Sequence, residues 1–265
     1  MKRLTFGVIG AVLAAGSSAS AADLAARPYT KAPAPVVALY NWSGFYIGIN
    51  GGGGSSRKCW DLTQNVLAPV VPAFPEGCHD ATGGTVGGQI GYRWQASSWV
   101  FGIEAQGNWA NFRGNNQNLF TTAFGFPQVQ NQSKIDAFGM FTGQIGYAAN
   151  NVLFYVKGGA AVVNDKYTNF TTAQFGAVPT GATFASGSET RWGAVVGAGI
   201  EYDLTPNWTI AAEYDHMFMG TQSVTLNLIQ PFGAGVSAIR NIRQDVDIGT
   251  VRLNYKFGGP VVARY

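Results

Sequence analysis

Charge is what this sequence has least of: 12% of its 265 residues are Asp, Glu, Lys or Arg, about half the share of an ordinary soluble domain. A water-facing surface covered mainly by charge is therefore excluded. Long apolar runs are missing too. Nothing approaches the ~20 consecutive apolar residues that a membrane-crossing helix needs, which excludes a polytopic helical protein. Histidine and cysteine number two each, and no spacing among them matches a metal site. Of the 17 basic residues, Lys2 and Arg3 fall in a segment read below as removed, and the remaining 15 face 14 acidic ones. That balance gives no electrostatic case for nucleic acid. Glycine and aromatics, by contrast, are plentiful: 36 Gly, 17 Phe, 11 Tyr and 7 Trp. Glycine without a strict triplet excludes collagen, and the aromatics argue against disorder. The chain reads as β-rich, with aromatic strands punctuated by glycine.

Residues 1–21 have the three parts of a secretory signal peptide: Lys2 and Arg3, the short apolar core Leu4 to Ala15, and a small-residue cleavage site at Ala19-Ser20-Ala21. Residues 22–41, with Pro28, Pro33 and Pro35 among small residues, read as an extended periplasmic leader. Residues 42–265 form the remaining domain. Export beyond the inner membrane gives Cys59 and Cys78 an oxidising compartment. The pair is expected to form a disulfide, contributing roughly 3 kcal/mol by the chain-entropy model.

From Trp42 onward apolar residues alternate with small or polar ones in segments of about ten residues, the pattern of a strand with two different faces. Eight segments follow this rule: 44–53, 85–94, 99–109, 133–148, 152–164, 190–204, 208–219 and 245–257. In the segment 99–109, for example, Trp99, Phe101 and Ile103 oppose Glu104, Gln106 and Asn108. The segment 133–148 is less regular, because Phe138 and Met140 share parity with Lys134 and Asp136. All 11 prolines lie outside these segments, as ladder hydrogen bonding requires.

The connections alternate between long and short. Short ones sit at 95–98, 149–151 and 205–207, and long ones at 54–84, 110–132, 165–189 and 220–244. Structureless loops beyond about 15 residues are uncommon in compact soluble domains, whereas outer-membrane barrels combine short periplasmic turns with long external loops. Trp94, Trp99, Tyr147, Tyr202 and Trp208 flank the short turns, where an interfacial aromatic girdle belongs. The expected fold is an all-β, eight-stranded antiparallel up-and-down transmembrane β-barrel in the Gram-negative outer membrane, with both chain ends in the periplasm. A secreted β-sandwich accounts for the alternation but for neither the loop asymmetry nor the outward aromatics.

In such a barrel the apolar parity meets lipid and the polar parity faces the interior. The acidic residues Glu104, Asp136, Glu201, Asp203, Glu213 and Asp215 are predicted inside with the basic residues Arg93, Lys134, Lys157, Arg191, Arg252 and Lys256. An eight-stranded barrel is just wide enough to be filled by side chains, so the expectation is a paired polar core. A narrow ion path along these charges is the alternative.

No catalytic constellation emerges. Gly51 to Ser56 lacks the Lys-Ser/Thr ending of a phosphate loop. His216 is placed outward beside Asp215 with no hydroxyl nucleophile at short spacing, and a pair is not a triad. The expectation is a chain without enzymatic activity, cofactor or metal. Specificity then rests with the polar, aromatic-bearing external loops, which suit surface contact. Outer-membrane lipid and lipopolysaccharide are the expected surroundings.

Trp42-Ser43-Gly44-Phe45-Tyr46-Ile47-Gly48 after the Pro-rich leader resembles the first strand of the small alphaproteobacterial outer-membrane barrels, the RopB-like group often labelled a porin family. Gly88 to Tyr92 and Gly197 to Tyr202 look like its strand signatures, and Val251 to Phe257 resembles its closing strand. The resemblance implies an abundant, surface-exposed, often immunogenic envelope protein that is handled by the barrel-assembly machinery. Phe257 or Tyr265 is the candidate assembly signal, because residues 258–265 continue past the closing strand. It also implies haemin or a host surface as a partner for some relatives. The reading is a structural and surface-interaction barrel, with a passive pore for small solutes as its rival.

Overall fold

The computed structural model describes residues 40–65, 67–125, 128–174, 179–229 and 236–257. The signal peptide, most of the leader, and Tyr265 lie outside them.

Eight antiparallel strands run in chain order around a closed barrel: β1 (Gly44–Gln64), β2 (Pro69–Ala96), β3 (Trp99–Gln117), β4 (Val129–Ala149), β5 (Val152–Thr171), β6 (Thr183–Thr205), β7 (Trp208–Leu228) and β8 (Ser237–Lys256). β8 pairs back onto β1, from Tyr46 opposite Lys256 to Gln64 opposite Ile239, so no strand edge is left unpaired across the membrane. One helical turn, α1 (Leu119–Ala123), caps the β3–β4 connection, with Asn118 accepting from the Thr121 N–H. The tight turns at one end use residues that tolerate positive φ, Ser97 at 57° and Asn150 at 58°.

The strands are 19 to 28 residues long, about twice what a membrane needs. The outer face of β3 records where the membrane ends. From Trp99 through Ile103 to Trp109 its outward side chains are apolar or small, and beyond Trp109 they are Asn111, Arg113, Asn115 and Gln117. Ten residues at ~3.3 Å each, tilted about 40°, rise about 25 Å, the height of an outer-membrane apolar band. Trp94, Trp99, Tyr147, Tyr202 and Trp208 ring one border and stand exposed on the outer wall.

This changes the nature of the long connections. The asymmetry between the two ends holds, but most of the residues in those connections are strand continuing past the membrane. β1 runs 11 residues beyond Gly53, and its pairing with β2 continues to Gln64 opposite Pro69. Pro69, Pro72 and Pro75 therefore lie within β2 rather than outside every strand. β2 pairs with β3 only from Thr82 downward, so these prolines sit where one side of the strand needs no ladder donor.

Candidate functional site

The bore gathers most of the buried ionisable side chains among the described residues, and it is built in layers. At the short-turn mouth the residues just before β1 fold inward. Trp42 is buried against Val100, Leu153 and Tyr155, its backbone N–H donates to Gln95 Oε1 at 2.8 Å, and Tyr40 packs edge-on to its ring at 4.7 Å. Lys256 lies 4.1 Å over the Tyr40 ring and donates to the Asn41 carbonyl.

An ionic layer follows. Arg252 donates to both Glu104 and Glu213. Lys157 Nζ lies 2.6 Å from Glu213, 3.1 Å from Asp215 and 3.8 Å from Glu104. Arg93 pairs with Glu201 at 2.7 Å and donates to Gln144 at 3.1 Å. Three cations thus meet four carboxylates, all buried, and buried charges persist only when paired and hydrogen-bonded. Tyr46 donates to Glu104 and Tyr155 to Glu213, each at 2.6 Å and each across 58 residues of chain. Each tyrosine ring lies over the glycine directly opposite it, Gly91 and Gly199, where an added Cβ would come within 2.5 Å of the ring. The two half-barrels therefore repeat one tyrosine–glycine–glutamate arrangement. A chain of amides, Asn108 to Asn50 to Gln89 to Asn254, connects the layer to Glu201 with bonds of 2.6–3.0 Å.

Above it the interior turns apolar. Twelve buried residues, including Phe112, Ile135, Phe138, Met140, Met217 and Ile248, form a continuous cluster drawn from seven strands. β1 contributes space instead: a Cβ at Gly54 would meet Phe112 at 2.8 Å and Ile248 at 3.1 Å. The members of this septum are at most 5% exposed. Farther out, Lys58 pairs with Asp165, Arg191 with Glu189, and Glu76 with Arg240. Trp60, Tyr167, Leu226 and Ile242 fill the remaining space.

Eight of the predicted interior charges lie buried in the bore: Arg93, Glu104, Lys157, Arg191, Glu201, Glu213, Asp215 and Arg252. Asp203 and Lys256 sit half-exposed at the short-turn rim. Lys134 and Asp136 do not face the interior. The β4–β5 register shifts between Ile135 and Ala137, and a one-residue shift turns every following side chain to the other face. Lys134 and Asp136 consequently stand on the outer wall, where Asp136 pairs with Lys134 and with Lys166 at 2.6 Å. The same shift turns Phe138 and Met140 inward. Lys58, Glu76, Asp165 and Arg240 were missed by sequence reasoning, because they lie in stretches taken for loops. Cys59 and Cys78 are direct ladder partners on β1 and β2 and form the expected disulfide, which bridges two paired strands. Phe257 packs at 5.5 Å from Phe45 and 5.0 Å from Tyr255 on the outer wall. His216 points outward and its Nδ1 lies 2.7 Å from Asp247.

Comparison with known proteins agrees with this architecture. Residues 9–257 match the family described as outer membrane protein beta-barrel domain. A 31 kDa outer-membrane immunogenic protein of Brucella melitensis is 30% identical over 265 residues, covering 97% of this chain and 100% of the relative. A 22 kDa outer membrane protein of Rhizobium leguminosarum is 27% identical over 183 residues, covering 68% and 66% of the two chains. Among solved structures, the outer membrane protein OprG of Pseudomonas aeruginosa superposes with a TM-score of 0.50 at 15% identity, covering 83% of this chain and 99% of that one.

Proposed function

Because the chain belongs to the outer membrane protein β-barrel family and its bore is filled, we propose that it is a non-conducting, non-catalytic barrel of the Gram-negative outer membrane that works through its outer wall and surface-exposed rim. The septum is the observation that carries this reading. A water-filled pore needs a continuous polar lumen, as in barrels of twice the strand number, whereas here buried methionine, phenylalanine and aliphatic side chains close the lumen between two charged layers. Its role is structural reinforcement of the envelope together with presentation of a tall strand-built rim to the cell's surroundings. The name of the 31 kDa relative, an immunogenic protein, is in keeping with a rim presented at the cell surface.

Planar-bilayer conductance of the purified chain, after a heat-shift gel has shown the barrel folded, tests the proposal. The expected result is a bilayer whose conductance stays at baseline. Reproducible unitary steps at neutral pH would make the chain a passive pore and the septum a gate.

A further inference from the structure

With the bore filled, ligands meet this protein at its rim and its outer wall, and the charges on the wall are unevenly spread. Arg113 on β3 is the direct ladder partner of Lys134 on β4, which in turn is the ladder partner of Lys166 on β5. All three point outward, so three cations stand side by side across neighbouring strands. Like charges placed directly opposite one another destabilise a sheet. Asp136 offsets part of this by pairing with both lysines, while Arg113 has no ion-pair partner among the described residues. One carboxylate thus stands against three cations, and the uncompensated charge calls for an anion from outside the chain.

Its height says which anion. Arg113 follows Trp109, the last exposed apolar side chain of the β3 band, by four residues, a rise of about 10 Å at the usual rise and tilt. The polar headgroup zone of a bilayer is about 5–8 Å deep on each side, and long basic side chains reach back toward it along the wall. The row therefore borders the headgroups of the outer leaflet, as far below the end of β3 at Gln117 as it is above Trp109. The opposite wall mixes both signs instead, with Arg243, Asp245 and Asp247 on the outward face of β8 and Arg57 opposite Asp245 on β1.

We propose that Arg113, Lys134 and Lys166 bind the phosphate groups of an anionic glycolipid headgroup, that of lipopolysaccharide in this membrane. The site depends on the chain's place in the membrane and not on whether its bore conducts.

The test is a titration of the full folded chain in neutral detergent with a short-chain lipopolysaccharide, followed by tryptophan fluorescence, with folding checked by heat-shift gel. The R113Q/K134Q/K166Q variant is expected to bind at least about tenfold more weakly, and D136N, which removes the competing carboxylate, more tightly than the parent. Enzymatically dephosphorylated lipopolysaccharide is expected to bind the parent as weakly as the intact form binds the triple variant. K166Q alone carries the same test if the triple variant does not fold, with a smaller loss expected. Unchanged affinity in the basic-row variants overturns the proposal. So does an equal loss in R57Q/R243Q, charge removals elsewhere on the wall. Inorganic phosphate or dextran sulfate binding the row as tightly as the glycolipid would overturn the lipid assignment and leave a soluble-anion site.

Discussion

Replacing Arg252 by methionine separates the two jobs of the interior, holding the barrel together and blocking it. Arg252 is buried and donates to Glu104 and Glu213. Its removal leaves Lys157 and Arg93 as the cations against four carboxylates in that layer. Lys157 already serves Glu213 at 2.6 Å and stands 3.8 Å from Glu104, so Glu104 keeps the Tyr46 hydroxyl as its main partner. Removing one side of a buried ion pair costs about 3–5 kcal/mol, because the charge left behind is still desolvated. Methionine retains most of the volume, which keeps the cavity contribution small. The assay is urea unfolding in lipid vesicles, read by heat-shift gel and tryptophan fluorescence. R252M is expected to lose about 3–5 kcal/mol, and R252M/E104Q/E213Q to recover most of that loss, since a matched neutral layer has no orphan charge. Conductance should stay at baseline in both, because the septum lies above the substitution. An R252M variant within about 1 kcal/mol of the parent would refute the view that this layer stabilises the barrel through paired charge. A conducting R252M would refute the septum as the block.

Three further outcomes are expected. Truncating the septum with F138A/M217A should introduce conductance that R252M lacks; a quiet bilayer with a folded variant would mean that the outer layers seal the bore unaided. C59S/C78S should cost up to about 3 kcal/mol by the loop-closure model and open residues 61–77 to protease while the membrane section keeps its gel shift, whereas identical cleavage of parent and variant would show that strand pairing alone holds that hairpin. His79, in the section beyond the membrane, is held below the ordinary histidine range by burial and by Lys58, partly offset by its hydrogen bond to Asn116. A folded value below the unfolded one means stability present at neutral pH and lost as pH falls below about 6.5 toward the folded value. Protection of the rim amides, corrected for the slower intrinsic exchange in acid, should therefore fall at pH 5 in the parent and less so in H79N, and equal acid sensitivity would count against His79 as its source.

The membrane-crossing half of the fold was legible in the sequence because its two faces meet different media. Trp99, Phe101 and Ile103 against Glu104 and Gln106 can mean little other than lipid outside and polar contents inside. The half beyond the membrane was not legible. Along β1 the outward Ser55, Arg57 and Asp61 face water and the inward set mixes Ser56 and Lys58 with Trp60 and Leu62, so the apolar parity is broken and the strand reads as loop. Proline at three positions of β2 strengthened that reading. The misplacement of Lys134 and Asp136 has a local cause: one irregularity after Ile135 joins two correct half-patterns out of phase. Phe138 and Met140, the residues that broke the pattern, marked the place. The ionic layer was foreseen through its charges but not through Tyr46, Tyr155 and Gln144. Their roles depend on glycines on neighbouring strands, and spacing along one strand does not reveal those.

The septum and the outer charges share one origin. Along β8 the outward residues Leu253 and Val251 are apolar and the inward Arg252 is charged, whereas farther up the inward Ile248 and Val246 are apolar and the outward Asp247 and Asp245 are charged. The hydrophobic parity inverts around Gly249 with no break in the strand. β4 does the same between Phe141, which faces out, and Phe138, which faces in. The inversion follows from the solvent: below it lipid requires an apolar exterior, and above it water permits an apolar core of the ordinary kind. One continuous wall thus joins a membrane barrel to a water-soluble barrel with its own buried core. The septum is the floor of that second core, which is why the bore closes just where the outer face becomes free to bear charge.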